Sequence, residues 1–250
     1  MKIGITERGD AGLDLSWKDK VHAMDMSVLI TKNITNSFKQ AILDKMSTDR
    51  LIVHCDCTGW GGSWLEPNVP PYHEQLSRLK NLIDEGFPKD QCVLRIDPIV
   101  PSNEGLCTFR LVLDMARSLG LLPDMRVRVS ILDEYMHVKN RIKAMGRKNS
   151  FYESSRKYPN ARETERVRQA LEYYRDVTFE TCAEPYLSGK NIEHTGCVSE
   201  KDLAIFGLRP DTENLNPQNR TGCLCLANKT ELLTCKKRCP HGCLYCYWID

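Results

Sequence analysis

The sequence predicts an α/β protein built on a parallel sheet. Short apolar, β-branched runs alternate with amphipathic stretches of helical period along its 250 residues, and such alternation builds strand–helix–strand units. Polar or charged groups recur just after the apolar runs, where parallel barrels assemble their sites. The length is enough for one large α/β domain. These observations point to a full or partial parallel β/α barrel of the TIM-like kind. Residues 1–250 are read as one domain whose cysteine-rich C-terminal part, 182–250, carries the metal centres.

The elements follow in order. Residues 3–6 and 26–31 are strands, the first ending in Glu7-Arg8-Gly9-Asp10 and the second in Lys32-Asn33. Phe38, Ile42 and Leu43 share one face of a helix over 37–46. Residues 51–55 form a third strand, running through Asp56-Cys57-Thr58-Gly59 into a glycine-rich turn and a proline-rich segment at 66–71. Leu76, Leu79, Leu82 and Ile83 pattern a helix over 73–85. A strand over 92–96, closed by Asp97-Pro98, precedes a helix over 108–118 that Gly120 ends. Residues 126–132 are a fifth strand, and 139–158 read as a polar loop with helical pieces. A charged helix over 163–175, a strand over 177–181 and a short last strand over 231–234 complete the pattern.

Composition narrows the class. Hydrophobic residues make up 41% and charged residues 27%, ordinary for a chain that buries a core. A net charge of +2 advertises no general affinity for nucleic acid. A local basic neighbourhood does stand at Arg126, Arg128, Arg141, Lys143, Arg147, Lys148, Arg156 and Lys157, where phosphates could dock. No apolar run approaches the roughly 18–20 residues of a membrane span, so no membrane partner is expected. The first residues lack the apolar core of a signal peptide. With 12 cysteines, several at ligand spacing, a reducing cytoplasm is expected, because clusters need unoxidised thiolates.

The chemistry concentrates near the C-terminus. Cys239, Cys243 and Cys246 form a C-x3-C-x2-C run, with Tyr245 before the last cysteine and Gly242 permitting a tight wrap. Three thiolates at this spacing suit three corners of a [4Fe–4S] cube and leave one iron open to a small chelating ligand. The rival is zinc, which prefers two separated ligand pairs. A second set, Cys182, Cys197, Cys223 and Cys225, has the ligands for a second iron–sulfur cluster or a zinc ion. Cys57, at a strand end, is a candidate hydrogen-atom donor, and Cys235 a spare ligand.

At these residues the chain resembles the radical S-adenosylmethionine superfamily, whose motif is C-x3-C-x2-C with an aromatic before the last cysteine. Further segments resemble an uncharacterised bacterial family, a domain of unknown function related to spore photoproduct lyase. They are Leu29–Asn33, Leu94–Ile99, Glu180–Glu184, Ile192–Cys197, Gly222–Cys225 and His241–Tyr247. The chain departs from that family at Thr6–Asp10, where a more basic segment is the pattern, and in its extra Cys235. In the superfamily the cluster loop follows the first barrel strand. Here it follows the last, so the chain is either a truncated relic or, as the strands already present upstream favour, a circularly permuted barrel with the last strand beside the first.

The resemblance implies a [4Fe–4S] cluster on Cys239, Cys243 and Cys246, S-adenosyl-L-methionine on the open iron, and a 5′-deoxyadenosyl radical that abstracts hydrogen from a substrate. It places Tyr245 near the adenine and Glu7, Arg8 and Asp10 near the methionine amino group, though no Gly-Gly-Glu stands there. Asn33 joins the cofactor-binding set, and Arg95, Asp97 and Lys32 are the candidate catalytic residues at strand ends. Glu184 and His194 are further pocket candidates, and His241 is expected to be solvated or bonded within its loop. The substrate is a small molecule or a nucleic-acid base, and the reductant a ferredoxin or flavodoxin. The alternative is a non-enzymatic iron–sulfur or zinc module for electron transfer or partner binding.

Overall fold

Among the described residues, eight parallel strands lie side by side in one sheet, in the order β7-β6-β5-β4-β3-β2-β1-β8. The computed structural model describes residues 1–146, 151–152, 156–210, 222–233 and 239–247. The strands are β1 (Ile3–Ile5), β2 (Met26–Thr31), β3 (Leu51–Asp56), β4 (Cys92–Ile99), β5 (Arg126–Ile131), β6 (Phe179–Cys182), β7 (Ile192–Thr195) and β8 (Lys229–Glu231). The helices are α1 (Asn36–Lys45), α2 (Tyr72–Asp84), α3 (Asn103–Ser118), α4 (Met136–Ala144), α5 (Ala161–Tyr173) and α6 (Glu200–Ala204).

Most elements fall where periodicity places them. The departures have local causes. Helix α3 begins five residues earlier than expected because Ser102 caps it, its side chain accepting from Gly105 N at 3.0 Å. Strand β7 is short and half polar, which hides it from a periodicity reading. Helix α6 is a single turn fixed by the Ser199–Asp202 capping box. Within 139–158, α4 takes up the early part. The last strand lies two residues earlier than expected, and Thr234 lies outside the described residues.

The period-2 alternation of each strand sorts its residues onto two faces. Leu29, Val53, Leu94, Val127 and Phe179 join one apolar cluster with Phe38 of α1, Leu79 of α2, Phe109 of α3 and Leu171 of α5. That face receives the helices. The other face carries Ile3, Val28, Ile52 and Val93, which pack with Val198, with Leu203 of α6 and with Leu226. The sheet therefore wraps around α6 and its flanks, as in the partial barrel expected.

Strand β8 pairs with β1 in register, Ile3 opposite Lys229 and Ile5 opposite Glu231. The last strand thus lies beside the first, as the permuted reading requires. Among the described residues β7 and β8 do not pair with each other. Their flanks meet instead: Leu226 N donates to Val198 O at 2.9 Å. Gly196 permits this approach, since a Cβ there would stand 2.6 Å from Cys225 Cα.

Further along the inner face the side chains become charged. Arg126 and Arg128 of β5 both point inward. Arg128, 1% exposed, donates Nε to Glu180 Oε2 at 3.1 Å and Nη1 to the Cys197 carbonyl at 2.6 Å. Arg126 donates Nε to Glu180 Oε1 at 2.9 Å and Nη1 to Asp202 Oδ1 at 2.8 Å. The basic neighbourhood read from the sequence is thereby corrected: alternation turns two of its arginines into the sheet's interior, where acids hold them. Arg156 pairs with Glu163 at 2.7 Å, and Arg147 and Lys148 lie outside the described residues.

Burial disfavours the Glu180 carboxylate, but Arg128 and Arg126 more than offset it and hold its pKa down at about 2. A depressed carboxylate contributes stability above its unfolded pKa, near 4, and loses it as pH falls toward the folded value. Glu180→Gln should therefore cost about 3–5 kcal/mol at neutral pH by stranding Arg128. It should also flatten the loss of stability between pH 4.5 and 2, as read by denaturant unfolding across that range.

Candidate metal centre

The C-terminal ends of the strands open on one cavity of about 420 Å³, within the range of ligand pockets, roughly 300–1,000 Å³. Its wall includes Glu7, Arg8 and Asp10 after β1, Lys32 after β2, Asp56 of β3, Arg95 and Asp97 of β4, and Ser130 of β5. Both cysteine sets reach it: Cys239, Cys243 and Cys246 from the C-terminal loop, Cys182 and Cys197 from the ends of β6 and β7, and Cys223 and Cys225 from the segment before β8. Tyr245 also lines it, whereas Asn33 does not; the Asn33 side chain accepts from Arg78 of α2.

The C-terminal loop is seated by contacts with segments far away in sequence. Leu244 N donates to Leu65 O at 2.9 Å, and Asn68 Nδ2 to Pro240 O at 2.8 Å. Arg141 of α4 donates one nitrogen to the carbonyls of Leu244 at 3.2 Å and Cys246 at 2.6 Å. Gly242 takes φ +64°, a left-handed turn that glycine adopts without penalty. Tyr245 donates its hydroxyl to Glu66, which is wholly buried.

His241 corrects the expectation of a solvated ring, being 2% exposed. Its Nε2 lies 2.9 Å from Asp10 Oδ2 and its Nδ1 3.1 Å from the Asn68 carbonyl. With an oxygen acceptor at each nitrogen, the geometry suits the doubly protonated ring. Burial opposes that charge, but the Asp10 carboxylate outweighs it and the ring's pKa is raised. Asp10 also accepts from Gly12 N at 2.8 Å, Thr31 Oγ1 at 2.7 Å and Lys32 N at 2.7 Å. Both its oxygens are engaged, so in this geometry Asp10 positions the loop.

Lys32 stands between two buried acids, Nζ lying 2.8 Å from Asp56 and 3.0 Å from Glu66. The same nitrogen is 5.5 Å from the Tyr245 ring centroid. Burial disfavours its charge, yet the two carboxylates and the neighbouring Cys243 raise its pKa well above the ordinary value. Asp56 is itself pushed up to about 6, first by burial and against the pull of Lys32. Arg95 grips Asp97 through Nε at 2.9 Å, and Ser130 donates to the other Asp97 oxygen. Arg95 Nη1 is buried and has no hydrogen-bond partner among the described residues. Glu7 pairs with Lys229 at 3.0 Å.

Burial pushes the Cys239 thiol up to about 11 and raises Cys243 further. A bound cation displaces the protons of such thiols, which solvent alone at neutral pH does not remove. The tightest thiol group is elsewhere: Sγ atoms of Cys182, Cys197 and Cys225 lie within 4.8 Å of one another. A cubane spreads its ligands over separate corners, so thiolates meant for one are not expected to crowd as ligands of a single ion do.

Residues 16–248 match the model of a domain of unknown function, DUF1848. The chain belongs to the DUF1848 family. No curated protein matches it. The resemblance to an uncharacterised domain family is met at that level. In this DUF1848 chain no helix among the described residues is long and apolar enough to cross a membrane.

The remaining expectations divide plainly. Cys57 faces the helix-side core, with its thiol 3.9 Å from Tyr72 O, and does not line the cavity. Glu184 is buried, accepting from Ile131 N at 2.9 Å, and His194 lies 2.8 Å from Gly222 O; neither lines the cavity. Cys235 lies outside the described residues. Sequence reasoning missed Glu66 and Asn68, and it read Arg141 as a phosphate-docking residue where the structure shows it holding the cysteine loop. Only the carboxylate of Glu66, in an otherwise proline-rich loop, offered a signal.

Asp10→Ala should cost about 3–5 kcal/mol, since it strands buried His241 and the Lys32 amide. Urea unfolding reads the loss. Hydrogen exchange over 239–247 should quicken more than exchange in β2–β5, because the loop loses its inner anchor.

Proposed function

We propose that this chain is a radical S-adenosylmethionine enzyme working as a single domain in the cytoplasm. The observation that carries the reading is that all three thiols of the C-x3-C-x2-C loop open on the same cavity as Lys32, Arg95 and Asp97. The donor set fits the group: three cysteines from one tight loop would hold three irons of a [4Fe–4S] cluster and leave the fourth for the cofactor. When bound, cluster and S-adenosylmethionine together supply a 5′-deoxyadenosyl radical for hydrogen abstraction.

The chain's own residues bind, orient and exclude water. Arg95, on the cavity wall, supplies a cation for an anionic group such as a carboxylate. Asp97, itself held by Ser130, fixes the Arg95 side chain on the cavity wall. Lys32, held by Asp56 and Glu66, keeps a positive charge beside Cys243. Tyr245, anchored by Glu66, presents its ring as an apolar surface for the adenine. Glu7 and Arg8 lie on the wall for the cofactor's polar end, and Asp10 positions the loop. The substrate is a small molecule or nucleic-acid base admitted to the rest of the cavity, and the electron donor a ferredoxin or flavodoxin.

Protein reconstituted without oxygen and reduced with dithionite should convert S-adenosylmethionine to 5′-deoxyadenosine and methionine. Cys243→Ala should lose the motif's iron and the product together. Arg95→Ala should keep the iron but weaken S-adenosylmethionine binding roughly 10–100-fold, the worth of one charge-assisted hydrogen bond. Full iron loading with no 5′-deoxyadenosine would instead indicate an electron-transfer or binding module.

A further inference from the structure

We propose that Cys182, Cys197, Cys223 and Cys225 hold one tetrahedral divalent ion, zinc or ferrous iron, which fastens the seam where, among the described residues, β7 and β8 do not pair. The site is separate from the C-x3-C-x2-C loop and does not depend on the function proposed for that loop.

The four thiols come from the two sides of the seam. Cys182 ends β6 and Cys197 follows β7, while Cys223 and Cys225 lie on the segment leading to β8. Cys182 and Cys197 Sγ are 3.3 Å apart, and Cys197 and Cys225 Sγ 3.1 Å. Thiolates about 2.3 Å from a tetrahedral ion stand about 3.8 Å from one another. An outward shift of roughly half an ångström therefore admits one ion. A cubane, with four irons and four sulfides between its ligands, would demand a far larger opening. Cys223 stands outside the tightest group but lines the same cavity, and it is the ligand that completes the shell.

The surroundings suit such a centre. Four thiolates and a divalent ion carry a net charge of about −2, which burial would penalise without cations nearby. Arg128 donates to the Cys197 carbonyl at 2.6 Å, and Arg95 lines the same cavity as the thiols. Cys197 N donates to Cys225 Sγ at 3.2 Å, the amide-to-sulfur contact that orients a thiolate ligand. The seam itself is held by few bonds among the described residues. Leu226 N to Val198 O at 2.9 Å is one, and the His194–Gly222 contact at 2.8 Å is another. An ion spanning both sides would do there what a strand ladder does elsewhere.

The test uses the full chain with Cys239→Ala and Cys243→Ala, so that the loop cannot hold a cluster. Elemental analysis should find one zinc or one iron per chain and no acid-labile sulfide. Cobalt(II) exchanged into this protein should give the intense visible bands of a tetrahedral thiolate site. Cys225→Ser should abolish metal and spectrum, whereas Cys223→Ser, at the outlying ligand, should retain weaker binding with an altered cobalt spectrum. Chelation should lower the unfolding temperature. Several irons with equimolar sulfide, a Cys182–Cys197 disulfide in place of metal, or no metal at all would each overturn the proposal.

Discussion

Three residues of β8 lie in register beside three of β1, and this short pairing carries the C-terminal cysteines to the cavity. Parallel strands in one sheet end at the same edge. Once β8 lies along β1, the loop after it must emerge over the ends of β1 to β5. There it meets Asp10, Lys32 and the 65–68 segment. The loop makes few bonds of its own, so its position is borrowed from that edge.

The edge is expensive to build, since it buries several charges together. Each is retained because an opposite charge or a set of donors accompanies it. Lys32 is shared by Asp56 and Glu66, Arg95 by Asp97, and Asp10 by His241 and two amides. Removing one member exposes its partner to the cost of desolvation. Such interlocking fixes side-chain directions, and fixed directions are what a ligand of defined shape needs. The apolar layer around α6 closes the interior on the side away from the strand ends, so the polar groups face the cavity.

Strand positions were legible because apolar runs of β-branched residues announce them. The inner polar face was written in β5, where Arg126 and Arg128 alternate with Val127 and Val129. Taken as surface charge, those arginines suggested a phosphate-binding patch; taken with the period of a strand, they point inward together. The motif cysteines were legible from spacing alone, and the second set as four further thiols outside that motif. The crowding of Cys182, Cys197 and Cys225 was not, because it arises where two chain segments 28 residues apart converge. Glu66 and Asn68 were hidden for the same reason: irregular loops have no period, and their partners lie 179 and 172 residues away.

The anchors of the C-terminal loop, Asp10, Leu65, Glu66, Asn68 and Arg141, all precede it in the chain. A ribosome therefore completes the receiving surface before it releases the first of the three motif cysteines. The loop need not search for its place among unfinished segments. Its docking follows the making of the surface that receives it.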